Sequence, residues 1–154
     1  MPLDSGIIKK KVPFHDAVFA LEAPFNGTPK ELFKTETRYS RTNWGNDQVA
    51  LVSEQLRFKQ QYKVSLYNSK TNAISTLYEG NSTDLYNNPG NPVTEKNSFG
   101  EEVVAVSKDG QSILFNNTTG ASAKGDLPYL AKFNIQTKTK EILWRCSEDC
   151  FEYV

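Results

Sequence analysis

Little in this sequence points to catalysis, to a metal or to a membrane. It holds two cysteines, Cys146 and Cys150, one histidine, His15, and one methionine. The cysteine spacing is wide for a paired metal knuckle and no second Cys/His cluster follows, which removes a zinc site. The two cysteines read as small strand or turn residues near the C-terminus. A local disulfide is the alternative, and it would need an oxidising compartment. Net charge is also missing: 18 Lys and Arg balance 18 Asp and Glu. Without a long-range field, nucleic acid and acidic membranes are excluded as main partners. No apolar run approaches the roughly 18 residues that a membrane span needs. Lys9, Lys10 and Lys11 precede no apolar stretch, so the N-terminus does not read as a signal peptide. The chain is expected to begin inside a longer protein, and its own compartment is not legible from this end.

Helical periodicity is nearly absent too, and that gap defines the fold class. The 154 residues suffice for one domain with a real core. Mean hydropathy is −0.56 and aromatics make up 12% of the chain, which suits half-buried pleated surfaces. Apolar residues come in short alternating or continuous runs between turn signals. Residues 17–21 and 31–34 flank Asn26, Gly27, Thr28 and Pro29 and read as a hairpin. Residues 39–44, 48–54, 62–67 and 74–78 form four strands in about 40 residues, the length of one propeller blade. Residues 81–98 read as a polar connection dense in Asn, Pro and Gly. A third group then predicts strands at 103–106, 112–115, 129–133 and 141–144. Asp109-Gly110 is the hairpin turn between its first two strands, and residues 117–128 are a loop.

The second and third groups overlay at an offset of 66. Tyr67, Asn68 and Thr71 fall on Phe133, Asn134 and Thr137, and Leu77-Tyr78 falls on Leu143-Trp144. Repeated strand quartets that differ mainly in loop length are what radial stacking of blades predicts. The expected architecture is therefore all-β: two to three four-stranded antiparallel blades of an incomplete β-propeller. Residues 17–35 would end one blade, 39–80 form the second, 92–145 the third, and 146–154 start the next. Open blade edges make self-association a further expectation.

The residues needed for chemistry do not assemble. There is no Gly-x-Ser-x-Gly elbow. His15 stands beside Asp16, far from Ser122 in the small-residue run 120–125, so no triad is predicted and His15 reads as flanking a strand. That run begins with P-loop glycine spacing, but Asp126 stands where lysine is needed, and an aspartate repels phosphate. Glu101 and Glu102 are adjacent, so on a strand they would point to opposite faces and cannot act as a glycosidase pair. Glu148 and Asp149 read as solvated surface charge. Asp84, Asn87, Asn88 and Asn91 offer oxygen ligands, but not at EF-hand spacing. No catalytic residue, metal site or cofactor is expected.

Several stretches share an order and spacing with a known family. His15 to Phe19, then Ala23 to Asn26, are followed by Arg38, by Trp44-Gly45-Asn46-Asp47 and by Ala50-Leu51 with Glu54. Later come Gly120 to Ser122, Gly125-Asp126, Pro128 to Leu130 and Leu143-Trp144-Arg145. This series resembles the propeller of the glutamyl-endopeptidase-like branch of the prolyl oligopeptidase family. The resemblance implies a parent serine peptidase with an α/β-hydrolase domain as this segment's partner in the same chain. It also implies a periplasmic or secreted parent, and peptide substrates admitted through the propeller. In such a propeller, Arg57 and Lys59 would sit on an inter-strand loop at one rim, facing the substrate cavity and attracting acidic peptides. They belong to a basic region with Arg38 and Arg41, interleaved with Trp44, Phe58 and Tyr62 and broken by Glu36, Asp47 and Glu54. The expected function is a non-catalytic segment that gates or orients peptides for that domain. The alternative is a free-standing secreted β-rich module that binds carbohydrate or an envelope protein.

Overall fold

The computed structural model describes residues 1–149 and residue 152. The described chain is all-β apart from one 3₁₀ turn. It divides into two compact units, Met1–Thr42 with Asp47–Glu79, and Asn43–Asn46 with the described residues from Gly80 onward.

The first unit opens with β1 (Asp16–Ala20) and β2 (Lys30–Thr35), an antiparallel hairpin in which Val18 faces Phe33. The N-terminal residues extend it. Ala17 N–H donates to Met1 O at 2.9 Å, the Met1 ammonium donates to Ala17 O at 2.7 Å, and Leu3 N–H donates to His15 O at 2.8 Å. Residues 1–3 thus lie as a strap along the edge of β1. The expected quartet follows as β3 (Arg38–Trp44), β4 (Val49–Leu56), β5 (Gln61–Asn68) and β6 (Ala73–Asn81), hydrogen-bonded in chain order. In β4 the consecutive residues Ala50, Leu51 and Val52 are all buried, so both sheet faces are covered there. One face carries Phe33, Ala50, Val52 and Tyr67, with Val18, Leu32, Tyr39 and Ile74 packed around them. The Phe33 and Tyr67 rings lie 4.9 Å apart at 53°. Burying one such aromatic side chain stabilises by roughly 1.5–3 kcal/mol, so Phe33, with Val18 and Leu32, ties the hairpin to the sheet.

The second unit departs from expectation at its first strand. Its quartet joins β7 (Asn91–Pro92), β10 (Ser112–Asn117), β13 (Tyr129–Asn134) and β14 (Lys140–Arg145), in the order β14-β13-β10-β7. Of the expected strand 103–106, only Val106 pairs with β10, ahead of the expected turn at Asp109-Gly110, where Gly110 N–H donates to Ser107 O at 2.7 Å. Instead β8 (Thr94–Lys96) and β9 (Glu102–Val104) pair with each other. Phe115 faces Pro92, Val93 N–H donates to Leu114 O at 2.8 Å, and Val106 bridges Ile113. The strand beside β10 is therefore built from residues 91–93 and 106–107, and residues 94–105 leave it as a hairpin. Pro92 is tolerated because β7 is an edge strand that needs no further N–H donor. The predicted loop 117–128 likewise contains a small hairpin, β11 (Ala121–Ser122) with β12 (Gly125–Asp126).

The internal repeat has a physical basis. Asn68 Oδ1 accepts from the N–H groups of Lys70 and Thr71, and Asn134 Oδ1 accepts from those of Gln136 and Thr137. Asn72 and Lys138, also 66 apart, both take positive φ, 53° and 58°. Each Asn folds the chain from the third strand of its sheet into the fourth by bonding the backbone just ahead. Tyr67 and Phe133, one residue earlier, both bury their rings, Phe133 at 5.7 Å from Phe115.

Candidate functional site

The most concentrated polar chemistry lies where the N-terminal strap meets β1 and β3. Asp4 is fully buried. Its carboxylate accepts two bonds from Arg38 Nη2 at 2.8 and 2.7 Å, one from Gly6 N–H at 2.9 Å, and meets His15 Nδ1 at 2.7 Å. Arg38 Nη1 reaches Asp16 Oδ1 at 2.9 Å, and the other oxygen of Asp16 accepts from Tyr39 N–H. Burial acts to raise the Asp4 carboxyl, but the hydrogen bonds from Arg38, His15 and Gly6 override it and hold it at about 2. The bond to Asp4 and the charge of Asp16 raise the Arg38 guanidinium above its ordinary value, against burial. An ionised carboxylate only accepts, so the proton between His15 and Asp4 sits on Nδ1.

A histidine oriented by a buried aspartate is half of a catalytic triad. The other half is missing: among the described residues no hydroxyl is bonded to His15 Nε2. His15 is itself buried at the start of β1. Through Asp4 and through Leu3 N–H, which donates to its carbonyl, it ties the N-terminal residues to β1. The sequence offers no hint of this, because Asp4, His15, Asp16 and Arg38 are scattered over 35 residues and only the strap's pairing with β1 gathers them.

Beside this network, Gly6, Ile8, Arg38, Gln55, Arg57 and Phe58 line a cleft of about 360 Å³. The turn Arg57–Lys59 between β4 and β5 supplies its rim, closed by Gln60 in the left-handed region at φ 55°. Arg57 is exposed, and no ion pair engages it among the described residues. Lys59 is exposed on the same turn but does not line the cleft. Arg38, expected with them in one basic region, is paired with Asp4 and Asp16, so among the described residues lining the cleft Arg57 is the cation outside an ion pair. Phe58 is 55% exposed and gives that wall an apolar surface.

Glu54, expected to break up a surface basic region, is buried instead. It accepts from Thr37 N–H at 2.8 Å and Thr37 Oγ1 at 3.1 Å, and pairs with Lys63 at 3.3 Å. Burial opposes the charge on Lys63, but the hydrogen bond to Glu36 and the charge of Glu54 raise its pKa.

The remaining sequence candidates find local structural duties. Asp84 accepts from Asn87 Nδ2 at 2.7 Å and from Asn87 N–H, which lowers its pKa. Asn88 O accepts from Asn117 Nδ2 and Tyr129 OH. Glu101 precedes β9, and Glu102 within it accepts from Thr94 Oγ1 at 2.6 Å. Gly120 takes φ +58° with the Leu127 carbonyl against it, and its N–H donates to Asn117 Oδ1. The run 120–125 is thus a tight sheet-side hairpin with no strand-to-helix junction for phosphate. Buried Cys146 accepts from Glu152 N–H at 3.3 Å through its sulfur. Cys150, the other half of the disulfide alternative, lies outside the described residues. So does part of the segment 146–154, read as the start of another blade. Among the described residues no group of three His, Cys, Asp or Glu could hold a metal ion.

Fold and site together define a β-rich segment of strand quartets with a histidine oriented by Asp4 and a cleft whose wall carries Arg57. No protein-family model matches the chain. It is similar to the probable glutamyl endopeptidase, chloroplastic, of Oryza sativa subsp. japonica, with 30% identity over 152 residues. The protein of the same name from Arabidopsis thaliana is 30% identical over 154 residues. Each match covers 95% of this chain and 16% of the relative, so the chain spans a small part of the length of the curated proteins it matches. Among solved structures, TolB from Acinetobacter baumannii superposes with a TM-score of 0.47 at 15% identity, over 86% of this chain and 27% of that one.

Proposed function

We propose that this chain is a non-catalytic β-propeller segment of a larger serine peptidase of the prolyl oligopeptidase type. Its role is to orient and admit peptides for an α/β-hydrolase domain carried elsewhere in the parent. The observation that carries this reading is the 30% identity to probable glutamyl endopeptidases along 95% of the chain. The repeated strand quartets support it, because blades of that plan stack into propellers. The sequence has no nucleophile elbow, and His15 is committed to Asp4.

Within that role, Arg57 and Lys59 draw acidic peptide segments to the cleft rim. Arg57 supplies charge-assisted hydrogen bonds, Gln55 an amide, and Phe58 an apolar platform. The test expresses the complete reading frame that contains this chain and assays it on acidic and neutral peptides. The double variant Arg57→Ala/Lys59→Ala should lower kcat/KM for the acidic peptides about two- to fivefold, the scale of exposed ion pairs, and spare the neutral ones. Equal effects on both peptide sets would remove the rim from substrate selection. A complete product that hydrolyses no peptide would refute the peptidase reading and leave a free-standing binding module.

A further inference from the structure

An edge strand invites pairing with another chain unless something blunts it. Most edges of the quartets and of the N-terminal hairpin are blunted. The strap of residues 1–3 lies along β1. On β2 stand Lys30, Glu31 and Lys34, and on β3 stand Arg38 and Arg41. At β7 the edge carries Pro92, and the carbonyl of Val93 is taken by Ala105 N–H at 2.9 Å. β14 carries Lys140, Glu141 and Arg145, and its register against β13 shifts between Leu130 and Ala131.

β6 has none of these devices. It is the last strand of its sheet, with β5 on one side and no strand on the other among the described residues. From Ala73 to Tyr78 it reads Ala-Ile-Ser-Thr-Leu-Tyr, with no charge, glycine or proline. An uncharged six-residue window of β-branched and aromatic residues is the composition that pairs most readily edge to edge. Ala73 and Ser75 are exposed along it.

Its flanking charges select the partner. Lys70 lies in the turn before β6 and Glu79 near its end. Both are exposed, and neither is engaged in an ion pair among the described residues. A second copy running antiparallel brings each Lys70 towards the partner's Glu79, twice over by symmetry. A parallel copy would set like charges side by side. The segment is therefore complementary to itself in one direction only, as a two-fold interface requires.

We propose that β6 is a self-association edge, on which two copies of this chain pair β6 to β6, antiparallel, about a two-fold axis at Ser75. In that register Ile74 faces the partner's Thr76 and Ala73 faces the partner's Leu77, so residues on matching faces meet. The two quartets become one continuous sheet. This inference selects one edge among those open to self-association and stands apart from the peptidase reading, because its test reads no peptide hydrolysis.

The product of the complete reading frame is followed by sedimentation equilibrium over a dilution series, and a monomer–dimer equilibrium is expected. Lys70→Glu and Glu79→Lys should each raise the dimer Kd about tenfold, since each turns two attractive pairs into two repulsive ones. The double variant Lys70→Glu/Glu79→Lys restores both attractions and should return to within about twofold of the starting Kd. Ser75→Lys sets two ammonium groups opposite each other across the axis and should weaken the dimer at least as far as either reversal. All three positions are exposed, so Tm at low concentration should stay unchanged. A monomer at every concentration, a dimer indifferent to these substitutions, or a double variant that stays weakened would overturn the proposal.

Discussion

Asn117 offers the sharpest test of how the second unit is held together. It sits at the end of β10, buried, with all four hydrogen-bonding positions used. Oδ1 accepts from Thr119 N–H at 3.0 Å and Gly120 N–H at 2.8 Å, and Nδ2 donates to Asn88 O at 2.7 Å and Tyr129 OH at 3.2 Å. Asn117→Ala leaves the buried Gly120 N–H without a partner, which costs about 1–3 kcal/mol, and each exchangeable bond adds about 0.5–1.5 kcal/mol. The expected loss is about 3 kcal/mol. Tyr129→Phe should cost only about 1 kcal/mol, because Asn88 O keeps its bond from Asn117. The double variant strips that carbonyl of both donors, so its loss should exceed the sum of the singles by about 1 kcal/mol. Urea denaturation followed by tryptophan fluorescence reads this, since Trp44 and Trp144 both belong to the second unit. Amide exchange at Gly120 should accelerate in Asn117→Ala. A loss below about 0.5 kcal/mol, or strict additivity in the cycle, would refute the shared-carbonyl account.

Two further predictions concern the strap and the tight turn. The Asp4 carboxyl is depressed from 3.8 to about 2 in the folded chain, so its contribution is complete above pH 3.8 and disappears as pH falls through about 2. Asp4→Asn should therefore flatten the Tm–pH profile in that window, and a profile with the wild-type slope would show the latch to be inert. Gly120→Ala places a methyl group against the backbone carbonyl of Leu127 at a left-handed φ, so a loss of about 2 kcal/mol or more is expected in urea denaturation. An unaltered midpoint would mean the turn relaxes freely.

What the sequence disclosed and what it hid divide along one physical line. The turns at Asn68 and Asn134 are legible because an Asn side chain bonds backbone two and three residues ahead, so motif and cause share a short window. The apolar run in β4 is legible for the same reason: Ala50, Leu51 and Val52 announce a strand covered on both faces. The divided strand of the second quartet is not local. Asn91 and Pro92 look like turn residues, and their strand character comes from pairing with Asn116 and Phe115. Val103 and Val104 look like the missing strand, yet they pair with Glu95 and Thr94. The ion network is hidden more deeply, since Asp4 lies in a stretch without periodicity and acquires its role only when residues 1–3 join β1. Arg38 and Glu54 illustrate the same limit: both read as surface charges, and both are committed to partners elsewhere in the chain. Of the proposed rim, Arg57 was legible as a charged residue of the connection between two strands, while the apolar wall beside it needed Ile8 to be brought across from the N-terminal segment.

The bond between Ala105 and Val93 has a consequence for engineering. It closes the neck of the β8–β9 excursion so that the strands on either side never sense what lies beyond it. Residues 95–103, beyond the Thr94–Val104 pair, therefore mark a cassette site. Foreign loops, epitopes or binding peptides of very different length can be spliced there while the host sheet keeps its alignment, in the way a socket accepts interchangeable fittings.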